Sequence, residues 1–152
     1  MVAQKTYAPG SMFAQFTTNP ELEMNGVEID YGPFMVTIAR AGGANKRFQR
    51  VMTAKTKAHR RAIQTETLSE ELASVILKEA YAEAVILNWQ TKVEGKFKKG
   101  IESPTGGPLL PVTFTNIVAT LEALPELFRD LQEQASRITL FRDTIMEDDA
   151  GN

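Results

Sequence analysis

Residues 67–89 read TLSEELASVILKEAYAEAVILNW, and they carry the strongest helical periodicity in the chain. Apolar residues from Leu68 to Leu87 recur at intervals of three or four, and Thr67 and Glu70 have the spacing of a capping box. We therefore predict a helix from about Leu68 to about Leu87 that buries one apolar stripe in the core. Trp89 follows this helix, and we expect it to cap the core rather than to anchor an interface.

Two short segments with a period of two precede this helix. Apolar residues alternate with polar ones at 27–31, and they alternate again, with several β-branched residues, at 34–39. Asn25-Gly26 lies just before them and is a strong hairpin signal, so we expect strand, turn, strand around it. The sequence thus predicts a small antiparallel sheet of two or three strands near the N-terminus.

Residues 40–50, RAGGANKRFQR, place a glycine pair among four cations. Gly42 and Gly43 can adopt positive φ, and Asn45 is a favoured N-cap for a cation-rich helix over about 46–61. A P-loop has more widely spaced glycines followed by Lys and Ser or Thr, and a dinucleotide-binding fold has three spaced glycines after a strand of a parallel sheet. Neither pattern occurs here. We predict a strand-to-helix turn, with anion binding at the helix N-terminus as the alternative.

The C-terminal half combines a segment rich in glycine and proline with two helices. The composition of residues 88–112 favours a long exposed loop. An edge strand is the alternative for its apolar residues Trp89, Val93 and Phe97. Thr113–Asn116 offers a helix N-cap, and Pro125 suits the first turn of a second helix. Two closely linked helices are therefore expected to complete the fold.

Length and pattern together predict a single α+β domain. A chain of 152 residues suits one core. We expect a small N-terminal antiparallel sheet packed against about four helices, with a mostly helical C-terminal half. Residues 1–18 are predicted to be a flexible arm, residues 19–145 the domain, and residues 146–152 a disordered acidic tail.

Composition removes most classes of catalytic and metal site. The chain has no cysteine and a single histidine, His59, which excludes thiolate chemistry and zinc sites built on several His or Cys ligands. The carboxylates fall on helix faces expected to be solvated, and the terminal acids at 147–149 lack the turn glycine of a calcium loop. We predict no catalytic, cofactor-binding or metal-binding residues. A hydrolase that uses scattered carboxylates is the enzymatic alternative.

Charge is distributed unevenly along the chain. No acid lies between residues 31 and 65, whereas acids outnumber cations from residue 117 onward. The basic segment 40–61 makes a nucleic-acid-binding adaptor the alternative function. Its predicted contacts are Arg47, Arg50, Arg60 and Arg61. Regions of opposite charge would also suit self-association of copies.

Four segments occur in an order that is distinctive as a set. They are FMVTIAR at 34–40, AVILNW at 84–89, PVTFTN at 111–116 and LPELFRDLQEQAS at 124–136. In this order and spacing, residues 24–142 resemble tail assembly chaperones of long-tailed bacteriophages. The resemblance implies a non-enzymatic protein that coats the helical, aggregation-prone tape-measure protein and brings tail-tube subunits to it.

The resemblance also implies where and how the chain acts. It implies the host cytoplasm, no cofactor, no membrane, and protein partners in preference to nucleic acid. A protein that holds a helix in a groove exposes an apolar stripe, and Leu127, Phe128 and Leu131 are the candidate contacts. Such stripes usually form a protein's own core, which is the alternative for these three residues.

Overall fold

The computed structural model describes residues 7–142, which form a four-stranded antiparallel sheet packed against helices. In chain order the elements are α1 (Met12–Phe16), α2 (Pro20–Asn25), β1 (Val27–Asp30), β2 (Phe34–Ile38), α3 (Lys46–Lys57), α4 (Arg60–Gln64), α5 (Glu70–Ala84), β3 (Ile86–Val93), β4 (Lys96–Lys99), α6 (Phe114–Ala123), α7 (Pro125–Ser136) and a 3₁₀ helix at Ile138–Phe141. The predicted α+β class is confirmed. The predicted acidic tail at 146–152 lies outside the described residues, and the described part of the predicted arm contains α1.

The strands follow one another in the order β1-β2-β3-β4, and each neighbouring pair is antiparallel. The chain turns between β1 and β2 at Tyr31, whose N–H donates to the Phe34 carbonyl at 2.9 Å. Glu94 and Gly95, with φ of 51° and 79°, form the two-residue turn between β3 and β4. Positive φ at both positions matches the twist of a hairpin, so this turn favours the antiparallel pairing.

The Asn25-Gly26 pair does not form the predicted hairpin, because it ends α2. Gly26 has φ of 93°, and its N–H donates to the Leu22 carbonyl, as in many helix C-terminal caps. Pro20 lies in the first turn of α2, where its missing N–H costs nothing. Asn-Gly suits both a helix end and a hairpin, so the element before β1 was predicted wrongly. The strands at 27–31 and 34–39 are confirmed.

The helix predicted over 68–87 is shorter at both ends. Its N-cap is Ser69 rather than Thr67, because the Ser69 Oγ accepts a hydrogen bond from the Leu72 N–H at 3.1 Å. The helix ends at Ala84, and the apolar run that follows continues as β3. Val85 and Ile86 are β-branched and suit a strand, and the Val85 carbonyl accepts from the Ala39 N–H.

Residues 88–112 are not the predicted long loop. Most of β3 and all of β4 lie there, and β3 is an inner strand between β2 and β4. Trp89 is 3 % exposed, so its assignment to the core is confirmed, although it lies within a strand and not after a helix. The alternative of an edge strand fits Phe97, which lies on β4.

The remaining helices follow the sequence more closely. The predicted cation-rich helix over 46–61 is interrupted at Ala58-His59, which separates α3 from α4. The Thr113 Oγ1 accepts from the Asn116 N–H at 3.2 Å and caps α6, and Pro125 occupies the first turn of α7. Both C-terminal helix starts are therefore confirmed.

The core lies between the sheet and helices α5, α6 and α7. Tyr81 is near its centre and meets Phe48 and Phe128 edge to face, with ring centroids 5.6 and 5.3 Å apart. Burial raises the pKa of Tyr81 to about 12. Leu121 and Leu131 are fully buried beside these rings. The described helices thereby pack against one face of the sheet.

Candidate functional site

The glycine pair holds an internal carboxylate. Gly42 and Gly43 have φ of 124° and 54°, confirming a turn with positive φ, and this turn brings the Ala44 N–H to the buried side chain of Glu23. The Glu23 Oε2 accepts from Ala44 N–H at 3.2 Å and from Arg40 Nη1 at 2.8 Å, and its Oε1 accepts from Thr18 Oγ1 at 2.6 Å. We call Thr18, Glu23, Arg40, Gly43 and Ala44 the Glu23 clamp.

The negative charge of Glu23 is stabilised by groups within the clamp. Burial, the largest effect, raises the pKa of Glu23, but the hydrogen bonds from Thr18, Arg40 and Ala44 and the charge of Arg40 outweigh it and lower the pKa below its usual value. A Cβ on Gly43 would lie 1.8 Å from the Glu23 Oε2, so the carboxylate fills the space above the turn. The anion at this turn is therefore the protein's own carboxylate.

The four predicted arginines lie on α3 and α4, the two halves of the interrupted helix. Arg47, Arg50, Arg60 and Arg61 are exposed, and no carboxylate within residues 7–142 forms an ion pair with them. Lys55, on the inner side of α3, behaves differently. Its Nζ lies 2.8 Å from Glu83 and 3.7 Å from Glu79, and it joins α3 to α5. The structure therefore presents a basic surface whose arginines are not used internally by the described chain.

An apolar groove of about 290 Å³ opens between the sheet and the corner where α6 meets α7. Phe34 and Trp89, with stacked rings 5.8 Å apart, form its floor on the sheet side. Leu124 and Leu127 form the helical wall. Leu124 stands at the corner because it is the single residue between the end of α6 at Ala123 and the start of α7 at Pro125, and it is 50 % exposed. The groove thus offers apolar surface that the described chain leaves open to solvent.

The polar groups around the groove are mostly bonded within the chain. Thr91 Oγ1 donates to the Gly100 carbonyl at 2.9 Å, Asn116 Nδ2 donates to the Pro111 carbonyl at 2.9 Å, and Thr120 Oγ1 donates to the Asn116 carbonyl at 2.7 Å. Since these donors are already used, the polar capacity that the described chain leaves on the rim lies mainly in one acceptor, the exposed carboxylate of Glu102. The groove therefore favours an apolar partner.

The three apolar residues predicted on α7 divide between groove and core. Leu127 lines the groove and is partly buried. Phe128 is 6 % exposed and Leu131 is fully buried, which places both in the protein's own core. Sequence reasoning missed Leu124 and Phe34 as groove residues. An apolar residue directly before a helix-starting proline was the available signal for Leu124, whereas Phe34 was indistinguishable from a core strand residue.

Two negative findings apply to residues 7–142. No group of three or more His, Cys, Asp or Glu side chains in that range could hold a metal ion. None of the helices there is long and apolar enough to cross a membrane.

Comparison with known families gives one match. The model of a family described as YdaY prophage protein matches residues 43–152, which is more than two thirds of the chain. The matched region begins at Gly43 of the clamp and contains every residue of the groove except Phe34. No curated protein and no solved structure matches the chain.

Proposed function

The chain belongs to the YdaY prophage protein family, and we propose that it is a non-enzymatic phage tail assembly chaperone. In this role it binds the tape-measure protein and helps to recruit tail-tube subunits. The observation that carries the proposal is the open apolar groove between Trp89 and Leu124. The phage origin of the family and the resemblance of residues 24–142 to tail assembly chaperones support the choice of partner.

The groove suits the apolar face of an amphipathic helix. Such a helix inserts side chains spaced by three or four residues into a groove of this kind. Ala119 and Ala123 are exposed and one helical turn apart on α6, so their small side chains allow a partner backbone to come close. A tape-measure protein is a long helical protein whose apolar faces need cover before the tail is complete. The proposed chaperone supplies that cover.

The proposed role needs no chemical step. Its physical basis is removal of apolar surface from water, which contributes about 25 cal/mol for each Å² buried. The partner is assembled into the tail in the host cytoplasm, so the proposal places the chain there.

Co-expression with a tape-measure protein of the phage that encodes this chain tests the proposal. We expect a complex that survives size-exclusion chromatography. Leu124→Glu places a charge at the exposed corner of the groove and should weaken binding by about tenfold or more, or about 1.4 kcal/mol. The absence of a complex, or one that Leu124→Glu leaves unchanged, would contradict the proposal.

Leu87→Glu is the matched control. Leu87 is 40 % exposed on β3 and lies outside the groove, so the same chemical change there should leave binding unchanged. Both variants change exposed residues, and both should keep the circular dichroism spectrum of the unsubstituted protein. Equal loss of binding in the two variants would point to non-specific charge repulsion.

A second candidate function is nucleic-acid binding, favoured by the exposed arginines of α3 and α4 that the described chain leaves unpaired. Fluorescence anisotropy with a labelled duplex of about 20 base pairs, in about 50 and 200 mM salt, tests it. Binding that weakens steeply with salt would favour this function. The double variant Arg47→Glu with Arg50→Glu should abolish that binding, whereas Lys98→Glu with Lys99→Glu should not. No binding in the lower salt would remove it.

A further inference from the structure

The two edge strands of the sheet carry opposite charge. β1 is one edge, and its exposed side chains are the acids Glu28 and Asp30. β4 is the other edge, with sequence KFKK, and Lys96, Lys98 and Lys99 are exposed. The two ends of the sheet are therefore complementary in charge.

Both edges also have backbone groups that point away from the sheet. In β1, the hydrogen bond from Tyr31 N–H to the Phe34 carbonyl shows that the backbone N–H and C=O groups of residues 27, 29 and 31 point toward β2. The N–H and C=O groups of Glu28 and Asp30 therefore point outward. In β4, the hydrogen bond from Gly100 N–H to the Trp89 carbonyl sets the same alternation. The backbone N–H and C=O groups of Phe97 and Lys99 therefore point outward. Within residues 7–142 no hydrogen bond uses these outward groups.

The row of free backbone groups on the outer edge of β4 ends before Ile101. Ile101 follows Gly100 and also points outward, but its N–H and C=O already exchange bonds with Leu110, at 2.9 and 2.8 Å. A partner strand can therefore bond to Phe97 and Lys99 and no further toward Ile101. β1 has two outward residues as well, so the two edges match in length.

We propose that β1 of one copy of this chain pairs with β4 of a second copy and extends the sheet. All strands alternate in direction and their number is even, so a second copy in the same orientation presents β1 antiparallel to β4. The bonded register places Glu28 opposite Lys99 and Asp30 opposite Phe97. Opposite charges directly across an antiparallel pair stabilise it.

Charge also selects this pairing over the alternatives. Two β1 edges would set acid against acid, and two β4 edges would set lysine against lysine, and like charges across strands are destabilising. The remaining contact is head to tail, which leaves an edge unpaired at each end and gives an open chain of copies. Strand twist of about 20–25° makes that chain turn by roughly 80–100° per copy.

The contact is short and its charges are solvent-exposed, so it should be weak and sensitive to salt. Sedimentation velocity over a range of protein concentrations, in about 50 and 500 mM NaCl, measures this. We expect concentration-dependent association in the lower salt and a rise of about tenfold or more in the dissociation constant in the higher salt. A monomer at every concentration in the lower salt would overturn the proposal.

A charge exchange identifies the strands involved. Glu28→Lys with Asp30→Lys makes both edges basic, and Lys96→Glu with Lys98→Glu and Lys99→Glu makes both edges acidic. Each variant alone should be monomeric where the unsubstituted protein associates, and an equimolar mixture should associate again. Both variants should keep the circular dichroism spectrum of the unsubstituted protein, so that recovery in the mixture reports on folded partners. Two variants that stay monomeric when mixed, or that associate alone, contradict the pairing.

The control reverses two exposed cations away from the sheet. Lys57→Glu with Arg61→Glu should leave association unchanged, because both residues lie on the basic surface of α3 and α4. Loss of association in this control would show that overall charge, and not the strand edges, drives it. The groove takes no part in the contact, so Leu124→Glu should associate like the unsubstituted protein, and this test succeeds or fails independently of tape-measure binding.

Discussion

The Glu23 clamp and the apolar groove differ in how much of their binding capacity the protein uses itself. In the clamp, the Ala44 amide, the Arg40 guanidinium and the Thr18 hydroxyl all donate to one buried carboxylate. In the groove, Leu124 is half exposed and the aromatic floor faces an open space of about 290 Å³. The clamp stabilises the fold, whereas the groove is available to a partner.

This difference explains why the most suggestive sequence is not the best candidate site. A glycine pair among cations has the chemistry of an anion site, and the structure uses that chemistry on Glu23, which is 21 residues from Ala44 along the chain. The groove has no sequence motif, because its residues come from β2, from β3, from the segment that follows β4 and from the α6–α7 corner. Variants of the clamp should therefore change stability, and variants of the groove should change binding.

Gly43→Ala should have the largest effect on stability. Its Cβ would overlap the Glu23 Oε2 and separate the buried carboxylate from Arg40. Breaking a buried ion pair costs about 3–5 kcal/mol, and because the Arg40 side chain is 24 % exposed we expect the lower end of that range. Urea unfolding measures the loss. Gly106→Ala is the control: its φ of 78° is close to the 54° of Gly43, and a Cβ there meets nothing within 4 Å. Equal losses for the two variants would mean that backbone strain, and not the clamp, accounts for the effect.

Glu23→Gln should cost about 1–3 kcal/mol at neutral pH, because a charged acceptor of three hydrogen bonds is lost. The pKa of Glu23 is lower in the folded protein than in the unfolded chain. The stability that its ionisation contributes is therefore present above the unfolded pKa and is lost as pH falls through the folded pKa. Urea unfolding across acidic pH should show the difference between the two proteins shrinking. A constant difference would contradict the clamp.

Leu127→Ala should have an intermediate effect, because Leu127 contacts both the core and the groove. It is partly buried, so the cost should be below the range of a fully buried leucine, at about 1–2 kcal/mol. Tape-measure binding should weaken as well. Thermal unfolding and a binding titration on the same preparation test both effects, and loss of stability with unchanged affinity would assign Leu127 to the core alone.

Leu124→Glu should have the smallest effect on stability, within about 0.5 kcal/mol, because the residue is exposed and makes no cap hydrogen bond with its side chain. The same variant should have the largest effect on tape-measure affinity. Urea unfolding checks the first expectation. A large loss of stability would show that Leu124 is a structural residue and would weaken the contrast between groove and clamp.

Local signals predicted the elements that depend on local contacts. Thr113 and Pro125 specify helix starts through their own side chains, and the alternation at 34–39 specifies a strand whose two faces differ in burial. Ambiguous signals failed where distant residues decide the outcome. Asn25-Gly26 became a helix end, and residues 86–93 became a strand because they pair with β2, about 50 residues earlier in the chain.

The candidate site was predictable only in part for the same reason. Exposure of Arg47 and Arg50 follows from the polarity of their helix, and a contribution of Leu127 follows from the stripe on α7. Whether Phe34 and Trp89 meet Leu124 across an open groove depends on the packing of the sheet against the α6–α7 corner. That packing is a tertiary property without a local signature.

Trp89 provides the most direct measurement of groove occupancy, because it is the one tryptophan in the chain and lines the groove floor. Its fluorescence should be titrated with a tryptophan-free helical segment of the tape-measure protein. We expect a saturable change in emission. The segment concentration at half-maximal change should be about tenfold or more higher for Leu124→Glu and unchanged for Leu87→Glu. A segment that binds with equal affinity to all three proteins, or that leaves Trp89 emission unchanged, would contradict the groove as the binding site of the proposed partner.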